Sequence, residues 1–410
     1  MGALGRALVQ RGHRVSFLNV SDVEPQAQAE RLGFFALGDS EYRKGELARS
    51  VEQLSKLSGI ASLKFAVGAA CRMSSLILRY CPEVVRAKQI DALIVDQNEP
   101  AGGTVAEYLG IPFVSVCTSL PLNSEPMIPP PFVGWAYRDS LFAAWRNRIA
   151  YAIAGRLIAP IQRILNDYRR MWKLKRLPTP DASFSRLAQL AQMPREFDFP
   201  RTNLPVTFEY LGPWFDETSC NFPFPFEKLD GRPLVYGSLG TLQDTGRRYF
   251  EIMAEAALKL DVQLVIALGA GAGRDMARLP GNPVVVNYAP QLKILARAAA
   301  VITHAGMNTT QQALSFGVPM VAIPLAHDQP AIAARLARSG AGMLLRSRKL
   351  SAQSLGSALQ SMLARDNPYR TQARRLQAAI QLAGGAERAA DITERVTHSQ
   401  AAPRATAARA

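Results

Sequence analysis

The sequence predicts an α/β protein of two doubly wound domains, each a parallel sheet with helices on both faces. Three observations point there. At 410 residues the chain outgrows one core and suits two domains of about 200 residues each. Short β-branched runs alternate with helical stretches, the pattern of parallel strands joined by helical crossovers. In the second half that alternation recurs at regular spacing.

HRVSFLNV (13–20), DALIVD (91–96) and PFVSVC (112–117) read as strands of the first domain, with helices expected over 48–67 and 70–88. PLVYGSLG (233–240), VQLVIALG (262–269), PVVVNYA (283–289), AVITHAG (300–306) and PMVAIPL (319–325) repeat the scheme in the second. In such sheets the ligand edge lies at the C-terminal ends of the strands. The segment 213–231, PWFDETSCNFPFPFEKLDG, is rich in Pro, Gly and polar residues without a clean period and reads as the linker. This gives a first domain over 1–212 and a second over 232–395. Residues 396–410, small, polar and basic, read as a disordered tail.

An apolar fraction of 48% and a charged fraction of 20% describe an ordinary globular chain. No run of about 18 apolar residues free of charge appears, which argues against a spanning helix. The start, MGALGRALVQRGH, lacks the hydrophobic core of a signal peptide, so a cytoplasmic location is expected. Cys71, Cys81, Cys117 and Cys220 form no CxxC pair, which argues against a metal or disulfide framework. A net charge of +15 favours anionic partners. Nucleic acid is not expected among them, because no recognised binding module accompanies the charge.

The segment 141–176, LFAAWRNRIAYAIAGRLIAPIQRILNDYRRMWKLKR, sets nine Arg and Lys residues against one acid, Asp167. Its apolar positions suit two helices broken near Pro160. Two readings stand: surface helices packed on the sheet, or a peripheral docking face for anionic membrane at the inner face of the cytoplasmic membrane.

The strongest local chemistry lies at 300–316. AVIT reads as a strand, HAGMN as a turn and TTQQALSF as the start of a helix. Gly306 allows close backbone approach, and Asn308, Thr309 or Thr310 suits a helix cap. Free N–H groups at that helix start would hold a diphosphate. His304 would add a donor where leaving-group charge develops.

The order YAPQ (288–291), Leu295, HAGMNT (304–309), GVP (317–319), Pro324 and DQ (328–329) resembles the donor signature of the family-1 glycosyltransferases, the UDP-glycosyltransferase superfamily. GSLGT at 237–241 looks like that family's first phosphate-side loop. The resemblance implies the GT-B fold, in which two Rossmann-like domains face each other across a cleft. It implies a UDP-sugar as co-substrate, with no further cofactor and no metal. By position it places Tyr288, Ala289 and Gln291 at the base. Ser238, Gly240, Thr241, His304, Gly306, Asn308 and Thr309 fall at the phosphates, and Asp328 and Gln329 at the sugar hydroxyls. Gln312 stands where the family often has a glutamate on the ribose, and an amide lacks the charge-assisted strength of a carboxylate.

Asp96 ends a strand, and as a lone residue it suits a cap for the next helix. The resemblance instead implies that it orients a catalytic histidine, the base for the acceptor hydroxyl in an inverting, metal-independent transfer. That histidine belongs in a loop before the helix on which this chain opens. The expectation is therefore a late-assigned start or a truncation, and weak transfer by these 410 residues alone. VDQNEPAG (95–102), SVCTSLPLNSEP (115–126), LAQLAQMPREFDFPR (187–201), GSLGTLQ (237–243) and LAGGAERAADI (382–392) are similar to the zeaxanthin glucosyltransferase branch of the family. That branch implies UDP-glucose as donor and a hydroxylated carotenoid, a lipophilic alcohol, as acceptor. Leu120, Leu122, Met127, Phe132 and Trp135 make an apolar, proline-stiffened loop that suits either a wall of the acceptor cleft or interdomain packing.

Overall fold

The computed structural model describes residues 1–55, 57, 59–215, 222–240, 246–269 and 279–407. The first half carries α1 (Gly2–Gln10), β1 (Ser16–Asn19), α2 (Glu24–Ala29), β2 (Gly33–Ala36), α3 (Glu46–Ser55), α4 (Gly59–Ala87), β3 (Leu93–Asp96), α5 (Ala101–Leu109), β4 (Phe113–Cys117), α6 (Leu141–Met171), β5 (Gln189–Ala191) and β6 (Phe208–Tyr210). The single sheet expected here is in two pieces. β1 pairs only with β2, while β3, β4, β5 and β6 form a parallel sheet in that order.

Between the pieces runs a cavity of about 780 Å³, lined by the whole of β1 and of β3 and floored by Leu4 and Leu8 of α1. Each of those two strands therefore has one edge without a strand partner among the described residues. Unpaired N–H and C=O groups along an apolar slot are a standing template for another extended segment.

The second half forms one six-stranded parallel sheet from β7 (Leu234–Ser238), β8 (Gln263–Ala267), β9 (Val284–Val286), β10 (Ala298–Thr303), β11 (Met320–Ala322) and β12 (Gly342–Leu344). Their order is β12-β11-β10-β7-β8-β9, so the winding reverses between β7 and β10. An open α/β sheet leaves its ligand crevice beyond the strand ends at such a reversal. Both faces are covered by α7 (Gly246–Leu258), α8 (Gln291–Leu295), α9 (Met307–Ser315), α10 (Gln329–Ser339), α11 (Ala352–Leu363) and α12 (Pro368–Leu382). β7 and β8 are buried along their whole length, as two-sided coverage requires.

The chain then returns to the first domain. Gly384 and Gly385, at φ 87° and 57°, turn it into α13 (Gly385–Ala407). There Ala389, Ala390 and Ile392 pack on Leu4, Ala7 and Leu8 of α1. Arg11 binds Glu387, Asp391 and Glu394 at 2.6–2.8 Å, and His13 binds Glu394 at 2.8 Å. This corrects two expectations. Residues after 384 pack with the first domain, and the segment from 396 is helical as far as Ala407 rather than disordered. Its alanine-rich composition has high intrinsic helicity, and Val396 reaches the same apolar cluster.

A further correction concerns 141–176, where Pro160 does not break the helix. α6 is continuous, started by Ser140, whose hydroxyl accepts from the Ala143 N–H at 3.2 Å. A mid-helix proline forfeits a backbone hydrogen bond. Here Ile161, Ile164 and Leu165 hold the next turns against Leu76, Leu78 and Cys81 of α4. α4, with Pro82 inside it, also runs on as one helix where a break near 68 was expected. By length and composition Ala61–Ala87 is apolar enough to cross a membrane, although its second half sits in that cluster.

Candidate functional site

The winding reversal brings Ser238 and Gly240, after β7, against His304 and Gly306, after β10. The imidazole of His304 lies between two backbones. A Cβ at Gly240 would stand 2.8 Å from its Nε2, and one at Gly306 would fall inside contact distance of the same atom. Gly240 also needs its freedom, at φ 82°. Burial lowers the pKa of His304 from the ordinary 6.5, against the Ser238 backbone and the charge of Asp328. The lowered pKa favours the neutral ring at pH 7, with the Ser238 backbone bonded to it and Nδ1 buried without a partner among the described residues.

The cap of α9 differs from the expectation that a side chain would serve. The capping position is Gly306 itself, with no side-chain bond. The first N–H groups of α9, on Met307, Asn308 and Thr309, have no partner within the helix by its geometry. They start the helix that follows His304, with the helix dipole behind them, an arrangement whose chemistry suits an anion. Ser238 is buried and Asn308 exposed. Thr241 lies outside the described residues.

One side of this cradle is a polar ring of four side chains. The Gln291 amide donates to Gln312 Oε1 at 2.5 Å and to the Thr309 hydroxyl at 3.4 Å, and Gln291 Oε1 accepts from the Tyr236 hydroxyl at 3.1 Å. That bond takes one lone pair of the Gln312 oxygen, and the N–H groups of the amide add donors where a carboxylate would offer acceptors only. Tyr288, 40% exposed, stacks on Phe222 with centroids 5.1 Å apart. Ala289 is buried beneath, in the core. Neither Tyr236 nor Phe222 was picked out from sequence, because nothing local marks a strand tyrosine or a linker phenylalanine as facing the crevice.

Across the cleft, consecutive residues after β4 tie the halves together. The Thr118 hydroxyl donates to Asp96 Oδ2 at 2.7 Å, and the Ser119 hydroxyl donates to Asp328 Oδ2. Gln329 is buried and turned back on its loop, its Oε1 accepting from the Leu325 and Ala326 N–H groups at 2.8 and 2.9 Å. Its amide N–H groups remain for a ligand.

Asp96 does not cap α5, as its lone reading had it. Oδ1 accepts from the backbone and side chain of Asn98, both at 2.9 Å, closing a local turn. None of its hydrogen-bond partners among the described residues is a histidine. Asp96, at the end of β3, and Glu99 both line the slot between β1 and β3. Burial, and behind it the Asp96 charge, pushes the Glu99 carboxyl up to about 7. That residue too was missed, since its environment is set by packing.

The apolar loop resolves into packing and a remainder. Leu120 is a core residue, in the cluster that also holds Ala331, Ile332 and Leu336 of α10. Ile128 packs on Phe199 and Ala334, and Gly134 lies against Pro330. Trp135 is covered by the Arg146 guanidinium, 4.2 Å from the ring centroid. Leu122 and Met127 are half-buried, and Phe132 is exposed.

The model of the erythromycin biosynthesis protein CIII-like C-terminal domain matches residues 251–388. The chain is 34% identical over 403 residues to the zeaxanthin glucosyltransferase of Pantoea ananas, covering 96% of this chain and 91% of that protein. The zeaxanthin glucosyltransferase of Pseudescherichia vulneris is also 34% identical, over 399 residues, 96% of this chain and 93% of that one. The chain belongs to the family-1 glycosyltransferases. Among solved structures, the glycotransferase of kitacinnamycin superposes with a TM-score of 0.76 at 22% identity, over 96% of this chain and 94% of that one, which fixes the GT-B fold. This transferase therefore carries its polar crevice where the fold puts two domains face to face.

Substituting Gly306→Ala should displace the imidazole while leaving the buried sheet untouched. We expect UDP affinity, measured by calorimetry, to fall about tenfold, a loss of about 1.4 kcal/mol, with an unchanged melting temperature. Wild-type affinity in the variant would separate the ring's position from anion binding.

Proposed function

We propose that this transferase moves glucose from UDP-glucose to a hydroxyl of a lipophilic acceptor, a hydroxylated carotenoid such as zeaxanthin. The observation that carries the donor half is the His304 ring held against Gly306, the cap of α9, beside the Gln291–Gln312 pair. There the diphosphate takes the leaving-group charge, Tyr288 supports the uracil, Gln312 donates to the ribose, and Asp328 with Gln329 meets the sugar hydroxyls. The zeaxanthin glucosyltransferases named above support the acceptor and the sugar.

In the transfer itself the acceptor oxygen attacks the anomeric carbon as the bond from that carbon to the diphosphate breaks. A base removes the hydroxyl proton, and the negative charge of the departing diphosphate falls on the α9 terminus and His304. Among the described residues no histidine bonds Asp96 to serve as that base. The two free strand edges of the 780 Å³ slot, which Asp96 lines, support a further strand seated there that delivers the base to that carboxylate. A carboxylate so placed fixes the tautomer of an imidazole and stabilises its charged form.

A membrane-resident acceptor also gives the long helix α6 a task. Leu141, Trp145, Ile149, Ile153 and Leu157 stand exposed at every fourth position, with Arg148, Arg156 and Arg163 exposed beside them. An apolar stripe flanked by cations suits an anionic bilayer surface. The proposed place of action is the inner face of the cytoplasmic membrane.

Incubating the 410-residue chain and an N-terminally extended form with UDP-glucose and zeaxanthin tests the reaction. The extended form should give zeaxanthin glucoside at least about 100-fold faster, the scale of general-base catalysis. Equal rates would remove the added strand, and transfer only to another lipid alcohol would remove the carotenoid. On vesicles containing phosphatidylglycerol, the wild type should sediment and Trp145→Glu/Ile149→Glu should stay in solution. Equal sedimentation of both would remove the α6 face.

A further inference from the structure

A buried carboxylate joins the two domains, away from the crevice. Asp198 follows a short helical turn of the first domain, Arg195–Phe197, and is fully buried beside α10 of the second. Four donors saturate it. Oδ1 accepts from Arg335 Nε at 2.7 Å and from the Phe199 N–H at 2.8 Å. Oδ2 accepts from Arg201 Nε at 2.8 Å and the Tyr210 hydroxyl at 2.9 Å. Burial alone would raise its pKa, but the guanidiniums of Arg335 and Arg201 overcome that and hold it at about 2. Arg335 is wholly buried, its guanidinium 4.1 Å from the centroid of the Phe199 ring.

Such an arrangement adds little stability, because desolvating buried ions offsets most of their attraction. What it supplies is geometry: Arg335 reaches Asp198 through Nε while Nη1 donates to the Ala331 carbonyl of α10 itself at 3.2 Å, so the guanidinium links the helix backbone to the carboxylate. Arg335 is seven residues past Asp328, two turns along α10 and on the same face. α10 is thus fastened to the first domain at two points, Asp328 on Ser119 and Arg335 on Asp198. Arg201 extends the second fastening to the acceptor-side loop, donating to the Asn123 and Pro121 carbonyls at 2.8 and 3.1 Å. A sugar that takes the Asp328 carboxylate competes with Ser119 for it. The buried pair is then the polar fastening that remains, beside the packing of Leu120, Ile128 and Gly134 on α10, to keep the start of that helix at the cleft.

We propose that Asp198 and Arg335 are a positioning pair that holds Asp328 and Gln329 in place for the transferred sugar. The proposal rests on the reading of Asp328 and Gln329 as the sugar contacts. Neither member of the pair touches the donor, so their effect should appear in the sugar alone and leave the nucleotide alone.

The test compares the affinities of UDP and UDP-glucose, by calorimetry, in the wild type and in Arg335→Met. This substitution keeps the bulk and leaves Asp198 bonded to Arg201, Tyr210 and Phe199. UDP should bind within about twofold of wild type, while the advantage of UDP-glucose over UDP shrinks about tenfold, about 1.4 kcal/mol. An unchanged advantage would overturn the proposal, as would an equal loss for both ligands, which marks a general packing defect. If Arg335→Met does not fold, Arg335→Lys, which keeps the cation and loses the fork, is judged by the same two outcomes. A wild type that gains nothing from the sugar would instead remove the reading of Asp328 and Gln329, and the proposal with it.

Discussion

The donor half depends on room for one imidazole between two backbones. His304 fits because neither Gly240 nor Gly306 carries a Cβ. Those glycines meet because β7 and β10 are neighbours at the point where the sheet reverses its winding. The same reversal aims the start of α9 into the gap, so the anion-binding amides and the histidine come from one topological fact. Partial burial in that place lowers the pKa of the ring and favours its neutral form.

The second constraint is distance across the cleft. Thr118 and Ser119, adjacent in the chain, hold Asp96 on the acceptor side and Asp328 on the donor side. The end of a single strand, β4, therefore sets how far apart the two carboxylates stand. Behind them, the core containing Leu120 continues into α10, and the buried Asp198 network prevents that helix from sliding. On the acceptor side the described strands form two sheets, where the donor side has one. The slot between β1 and β3 separates the two, and the Asp96 carboxylate that lines it has hydroxyl and amide partners only.

What could be read from sequence follows how local each signal is. The turn HAGMN and the β-branched runs are short patterns whose chemistry sits within a few residues, while the pair at 328–329 is legible through the family resemblance alone. The brief strands β2, β5, β6 and β12, three or four residues each, carry too little periodicity to stand out. Pro160 argues locally for a helix end, yet tertiary packing between α4 and α6 overrides it. The return of α13 to α1 joins residues about 380 positions apart and leaves no local mark. Of the apolar loop, composition alone gave the character, and only the fold assigned Leu120 and Ile128 to packing.

A crystal structure of the chain with UDP bound bears most directly on the central claim. It should show diphosphate oxygens within hydrogen-bond distance, about 2.7–3.2 Å, of the His304 ring and of the Met307–Thr309 N–H groups, with uracil on Tyr288. A diphosphate bound away from the start of α9, or a histidine turned out of the gap between Gly240 and Gly306, would contradict the account.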